Sequence, residues 1–290
     1  MKILIIGASG LVGGNIYDHL SNQAGWEITG TYHHYAVENL LPFNAADKAA
    51  WSPAITGTPW DVIIHTGALT HVDKCEEEPQ LSETGTVLSA ANICALAAAQ
   101  NARLIYISTD YIFDGRSGPY CEDDIPAPLN VYGGHKLKAE ELVRSAINGH
   151  LILRITNVYG KELRGKNYLA RVIGQLRSGE SPEITAPYDQ YATPVNAADI
   201  ARAVGLLIND KKSGTYHLAS TDLLSRVQLL QRVNVYFDNK LTIHPVDTAF
   251  LKQLAKRPLR GGLSAAKFLS EYPGFRFSNI DDYLKEQHEL

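Results

Sequence analysis

Three side chains of this sequence could together protonate a carbonyl oxygen while its carbon accepts hydride. They are the hydroxyl of Thr109, in Ser108-Thr109-Asp110-Tyr111, and the phenol and amine of Tyr132 and Lys136, in Tyr132-Gly133-Gly134-His135-Lys136. Tyr132 and Lys136 stand at i and i+4, so on a helix they share a face and can act together. An ammonium beside a phenol favours phenolate and lowers its pKa, which makes tyrosine a useful acid near neutral pH. Upstream, Gly7-Ala8-Ser9-Gly10-Leu11-Val12-Gly13 forms a glycine-rich turn able to hold a dinucleotide's phosphates. The set points to carbonyl reduction with a nicotinamide cofactor.

Such chemistry needs a scaffold that brings these segments to one edge. Lys2 to Ile6 reads as a strand buried on both faces, and Leu11 to Leu20 has helical spacing, so strand, glycine turn and helix follow in order. Gly7 permits the tight turn, Gly10 the close approach of a pyrophosphate, and Gly13 close helix packing. Alternation continues through Asp61–His65, a helix from Leu88 to Gln100, a strand from Arg103 to Ile107, a helix around Lys136 to Ser145 with Asn130 as N-cap, and a strand at Leu151–Ile155. This is the pattern of an α/β, Rossmann-type doubly wound parallel sheet, whose ligands collect at the carboxyl ends of its strands. Residues 1–160 are expected to form the dinucleotide domain. After Gly160 the rhythm breaks into Gly- and Pro-punctuated segments, and 161–290 reads as a smaller C-terminal substrate-binding lobe. A helix from Asn196 to Leu207 and a strand from Gly214 to Leu218 are expected to return to the main sheet. Tyr236 and Lys240 repeat the Tyr-x-x-x-Lys spacing but lack a buried Ser-Thr strand or a glycine turn, so the first pair is the one expected to act.

The second strand, Trp26 to Tyr32, is followed by His33-His34-Tyr35, with no acid before Glu38. A carboxylate there would favour NAD by bonding the adenosine ribose. Its absence, with donors such as Thr31, Tyr32 and His33, favours NADP(H) and leaves NAD(H) possible. The two histidines have no third ligand nearby, and no metal is expected.

The 290 residues carry a net charge of -4 with interspersed signs, which gives no basic patch for nucleic acid or an anionic membrane. Cys75, Cys94 and Cys121 are far apart and read as packing thiols of a reducing compartment. The apolar start is broken by glycine and serine, so no signal peptide is expected, and no apolar run reaches the length of a membrane span. The expected location is cytoplasmic, and a homodimer is possible.

In combination these segments resemble the extended short-chain dehydrogenase/reductases, and among them the dTDP-4-dehydrorhamnose reductase group. The resemblance rests on Gly7 to Gly13, Asp61 to Ala68, Thr70 to Glu76, Ser108 to Gly115, Pro128 to Gly133, Leu153-Arg154, Val158 to Gly160, Asp189-Gln190, Thr193-Pro194, Gly214 to Leu218, Arg257-Pro258 and Leu263. It implies Thr109, Tyr132 and Lys136 as catalytic residues: Tyr132 donates the proton, Thr109 hydrogen-bonds the oxygen, and Lys136 holds the nicotinamide ribose. It also implies that Ala68 and Thr70 line the cofactor cleft beside Gly7, Ser9, Gly10, Leu11, Val12, Gly13, Tyr32 and His33. The implied substrate is a nucleotide sugar, and Asn157, Asp189, Gln190 and Arg260 are the expected polar contacts.

The chain departs from the family pattern at several places. His65-Thr66-Gly67-Ala68 replaces Asn-Ala-Ala-Ala, Thr86 takes the place of a helix asparagine, and Thr156-Asn157 replaces Ser-Trp, putting an amide where an aromatic surface would face the sugar. Ala192 and Ser264 stand where a glycine and an acid are expected. Tyr111 occupies the position where sugar-nucleotide dehydratases carry a glutamate, which argues against dehydration. Two alternatives to a reductase remain: a non-catalytic NADP-binding regulatory subunit resembling the methionine adenosyltransferase β-subunit, and an epimerase that keeps NAD bound.

Overall fold

A computed structural model describes residues 1–289. Its centre is a seven-stranded sheet built from β1 (Lys2–Ile6), β2 (Glu27–Tyr32), β3 (Leu41–Pro42), β4 (Val62–His65), β5 (Arg103–Thr109), β6 (Leu151–Ile155) and a last strand, Gly214–Leu218. The spatial order is β3, β2, β1, β4, β5, β6, then Gly214–Leu218, and every neighbouring pair is parallel. This is the doubly wound Rossmann order, with its reversal between β1 and β4.

Strand alternation explains why both faces are covered. Ile3, Ile5, Ile64, Ile105, Ile107 and Leu153 face a layer that includes Ile16 and Leu20 of helix Leu11–Ser21 and Ile200, Val204 and Leu207 of helix Ala197–Asn209. Leu4, Ile6, Ile63, Leu104, Tyr106 and Ile152 face the other way, against Ala90, Ile93 and Ala97 of helix Ser89–Gln100 and Ala139 and Val143 of helix Val131–Ala146. Side chains two apart on a strand share a face, so near-continuous apolar runs are what a two-sided sheet requires. Helix Ser89–Gln100 is preceded by a π-helical segment, Thr84–Leu88.

A separate core holds the smaller lobe. Leu169, Val172 and Leu176 of helix Tyr168–Arg177 meet Val227, Leu230 and Val233 of helix Arg226–Tyr236 and Ile280 and Leu284 of the last helix, Ile280–Glu289. The Pro-punctuated stretch after Ser178 is not all loop, because Glu183–Pro187 pairs in parallel with Thr242–Val246. Among the described residues no helix is long and apolar enough to cross a membrane, and no group of three His, Cys, Asp or Glu is placed to hold a metal.

Candidate active site

The glycine turn joins β1 to helix Leu11–Ser21. Gly7 has φ +86, and a Cβ on Gly13 would collide with the Gly7 carbonyl and the Thr66 hydroxyl, so only glycines let the helix start this close to the strand. The helix begins at Gly10 with no side-chain cap, which leaves its first amides for an anion. These features fit a dinucleotide's diphosphate at Gly7, Ser9, Gly10, Leu11, Val12 and Gly13. At the end of β2, Tyr32 is half-buried and His33 is exposed. Burial and the His34 charge hold His33 below the ordinary histidine range. Thr31 is not available as a donor to a ligand. Its side chain is fully buried, accepts from the Gly7 amide at 3.3 Å and donates to the Ile5 carbonyl at 3.4 Å. After β4, Ala68 is half-buried and Thr70 exposed.

Thr109 ends β5, and Tyr132 and Lys136 lie on helix Val131–Ala146; all three are buried. Asn130 caps the helix by accepting from the Gly133 amide at 2.8 Å and ties it down by donating to the Lys256 carbonyl at 2.8 Å. The Glu76 carboxylate accepts from the Val131 amide at 3.0 Å, placing negative charge at the positive helix end. A Cβ on Gly133 would strike the Tyr111 carbonyl, so glycine there permits the helix to press against the loop after β5.

The electrostatics correct one expectation. Burial, not Lys136, dominates the pKa of Tyr132. The Lys136 ammonium donates to the Tyr106 hydroxyl at 2.8 Å and the Ile107 carbonyl at 2.6 Å, and burial brings its own pKa down to about 7, with Glu140 opposing. Burial instead pushes the Tyr132 phenol well above the usual tyrosine range, although the nearby Thr109 hydroxyl works against this. Tyr132 is therefore held as a protonated acid, and the proximity that spacing implied does not amount to charge stabilisation of phenolate. The second Tyr-x-x-x-Lys has no comparable setting. Helix Arg226–Tyr236 ends at that tyrosine, Asp238 and Asn239 turn with positive φ, and Lys240 lies 3.9 Å from Asp238 near the surface.

The helix that carries Tyr132 and Lys136 is riveted to the sheet by a buried ion pair. Arg154 on β6 donates to Glu140 through Nε at 3.0 Å and Nη2 at 2.9 Å, and Arg144 donates to the same carboxylate at 2.6 Å. Burial alone would raise the Glu140 pKa, but the hydrogen bonds and charge of Arg154, aided by Arg144, hold it below the usual carboxylate range. Asp110, the acid next to Thr109, is also engaged. Asp110 accepts from Thr109 at 3.3 Å, from Thr156 at 2.7 Å and from the Gly262 amide at 3.3 Å, and burial raises its pKa.

A pocket opens beside this centre, walled by Asp110, Tyr111, Asn157, Gln190, Arg226 and Gly261 among others. Tyr111 packs edge-on against Tyr132, with ring centroids 5.7 Å apart, and burial pushes its pKa up to about 12. Of the expected substrate contacts, Asn157 and Gln190 stand at the pocket wall and Asp189 and Arg260 do not. Asp189 accepts from the amide and hydroxyl of Thr248, at 3.0 and 2.7 Å, and so organises the lobe. The Arg260 side chain is exposed, while its backbone bonds Gly115 and Gly118. The basic residue at the wall is Arg226, at the first turn of its helix and 4.7 Å over the Tyr168 ring. Ser225 and Gln228 form a capping box around it, a local signal that marks the helix start in the sequence but not the pocket.

His65, at the end of β4, lies close enough to Lys136 to feel its charge. It is almost fully buried, its Nε2 is 2.8 Å from the Ser89 hydroxyl and its Nδ1 has no partner. Burial and the Lys136 charge bring its pKa down to about 3. The unfolded chain binds this proton near the ordinary value of 6.5, so as pH falls from 6.5 towards 3 the unfolded state holds more protons and stability is lost. His65→Gln is expected to flatten the fall in unfolding free energy between pH 6.5 and 5 by up to about 1.4 kcal/mol per pH unit. Urea titrations at the two pH values check this, and an unchanged slope would refute the neutral buried imidazole.

Comparison with known proteins identifies the family and the fold. The family described as RmlD substrate binding domain matches residues 1–286. The chain is 30% identical over 234 residues to methionine adenosyltransferase 2 subunit beta of Xenopus laevis, covering 79% of this chain and 70% of that protein. It is 29% identical over 252 residues to dTDP-4-dehydrorhamnose reductase of Sinorhizobium fredii, covering 83% of each. A crystal structure of dTDP-4-dehydrorhamnose reductase from Bacillus anthracis in complex with NADP superposes with a TM-score of 0.87 at 27% identity, over 98% of this chain and 97% of that one. The chain belongs to the RmlD substrate-binding domain family of extended short-chain dehydrogenase/reductases.

Proposed function

We propose that the chain is an NADPH-dependent reductase of a keto group on a nucleotide-activated deoxysugar. The observation that carries this reading is the joint burial of Thr109, Tyr132 and Lys136 at the carboxyl end of β5, next to a pocket walled by Tyr111, Asn157, Gln190 and Arg226. When bound, the nicotinamide cofactor supplies hydride to the carbonyl carbon. Tyr132, kept protonated by burial, gives its phenolic proton to the carbonyl oxygen. Thr109, whose one hydroxyl proton points to Asp110 in the structure, would turn it to the same oxygen, where negative charge develops. Lys136, anchored on Tyr106 and Ile107, holds the nicotinamide ribose. Arg226 has no carboxylate partner among the described residues and offers its charge to a diphosphate, while Asn157 and Gln190 offer amides to the sugar.

The cofactor preference rests on Tyr32 and His33 and on the absence of an acid at the end of β2. Calorimetric titration is expected to show tighter binding of NADPH than of NADH. Equal or tighter NADH binding would favour the epimerase that keeps NAD bound. A second reading, a regulatory subunit that binds NADP without turning over, is favoured by the similarity to methionine adenosyltransferase 2 subunit beta. Oxidation of NADPH with nucleotide-linked 4-keto-deoxysugars separates the two: turnover supports the reductase, and dinucleotide binding without turnover of any such sugar supports the subunit.

A further inference from the structure

No arginine follows β2, yet one reaches the glycine turn from the other lobe. The loop 160–167 leaves the strand Val158–Tyr159, next to the pocket residue Asn157, and runs back over helix Leu11–Ser21, where Asn15 donates to the Lys161 carbonyl at 2.9 Å. Glu162 shapes the loop by accepting from the Lys166 and Asn167 amides at 2.8 and 2.6 Å, and Asn167 returns it to the strand by donating to the Val158 carbonyl at 2.8 Å. Arg164 stands between these tethers. Its Nη1 lies 3.9 Å from where a Cβ on Gly10 would be, directly at the uncapped start of the helix. Its Nε is buried with no hydrogen-bond partner, and among the described residues no carboxylate pairs with it.

A half-buried guanidinium whose Nε is buried without a partner, beside free helix amides, is incomplete, since buried donors are ordinarily satisfied. Its planar fork matches phosphate oxygens. We propose that Arg164 clamps the diphosphate of the dinucleotide, closing the loop 160–167 over the cofactor. This rests on the reading of the glycine turn as a dinucleotide site. The clamp ties cofactor binding to the pocket, because the same loop begins just beyond Asn157 and Val158. The charge comes from far along the chain, where no local motif announces it.

Calorimetry with NADPH and NADH on the wild type, Arg164→Ala and Arg164→Lys tests the assignment. Arg164→Ala is expected to weaken both dinucleotides by the same factor, about tenfold to a hundredfold, as for a lost charge-assisted hydrogen bond. Arg164→Lys should recover part of the loss, because a point charge replaces the fork. Unchanged binding in Arg164→Ala would overturn the clamp while leaving the dinucleotide site standing. A loss confined to NADPH would overturn it by moving the arginine to the 2′-phosphate. Failure of the wild type to bind either dinucleotide is the separate result that removes the cofactor reading and the clamp with it.

Discussion

Tyr132→Phe is expected to lower turnover by about a hundred- to ten-thousandfold, the usual range for a lost general acid, with dinucleotide affinity nearly unchanged. The substitution removes one hydroxyl and leaves the ring that packs on Tyr111, so the fold should survive. The phenol is buried beside Thr109 and carries its proton at neutral pH, so the substitution removes a transferable proton from the site. Tyr236→Phe serves as the control, because that tyrosine stands at a helix end away from the pocket. Steady-state kinetics and calorimetry on both variants decide the matter. Equal losses in the two, or none in either, would contradict the assignment.

The second large effect concerns stability. Glu140→Ala is expected to cost about 3–5 kcal/mol, since it strands the buried Arg154 guanidinium without its anion. The Arg154 and Glu140 side chains are 3% and 0% exposed, so water cannot take over. Replacing both partners, Glu140→Leu with Arg154→Met, should restore most of the loss, because two apolar side chains of similar size need no pairing. Urea unfolding at neutral pH measures both variants. A single variant that costs less than about 1 kcal/mol would show that the rivet is not what holds helix Val131–Ala146 to β6.

What the sequence revealed and what it hid divide by distance along the chain. The glycine turn, the Asn130 cap and the Tyr132–Lys136 spacing are local, and the structure places them as expected. Strand-by-strand burial was also legible, because a sheet covered on both faces leaves continuous apolar runs. Partners across the fold were not. Nothing near Lys136 announces that its ammonium is taken by Tyr106 and Ile107, and helical spacing therefore suggested a lowered phenol pKa where burial raises it. Asp189 and Arg260 looked like ligand contacts because polar residues in Pro- and Gly-rich loops resemble binding residues. Asp189 instead serves Thr248, and Arg260 faces solvent. Arg226 and Arg164 were hidden for the converse reason, since each gains its role only where separate segments meet.

Whether the buried trio reduces a sugar carbonyl is decided most directly by NADPH oxidation by the wild-type protein against a panel of nucleotide-linked 4-keto-deoxysugars. The expected result is turnover of at least one member, lost in Tyr132→Phe and kept in Tyr236→Phe. Tight NADPH binding with no turnover of any member would contradict the reductase reading and leave the chain as a dinucleotide-binding subunit.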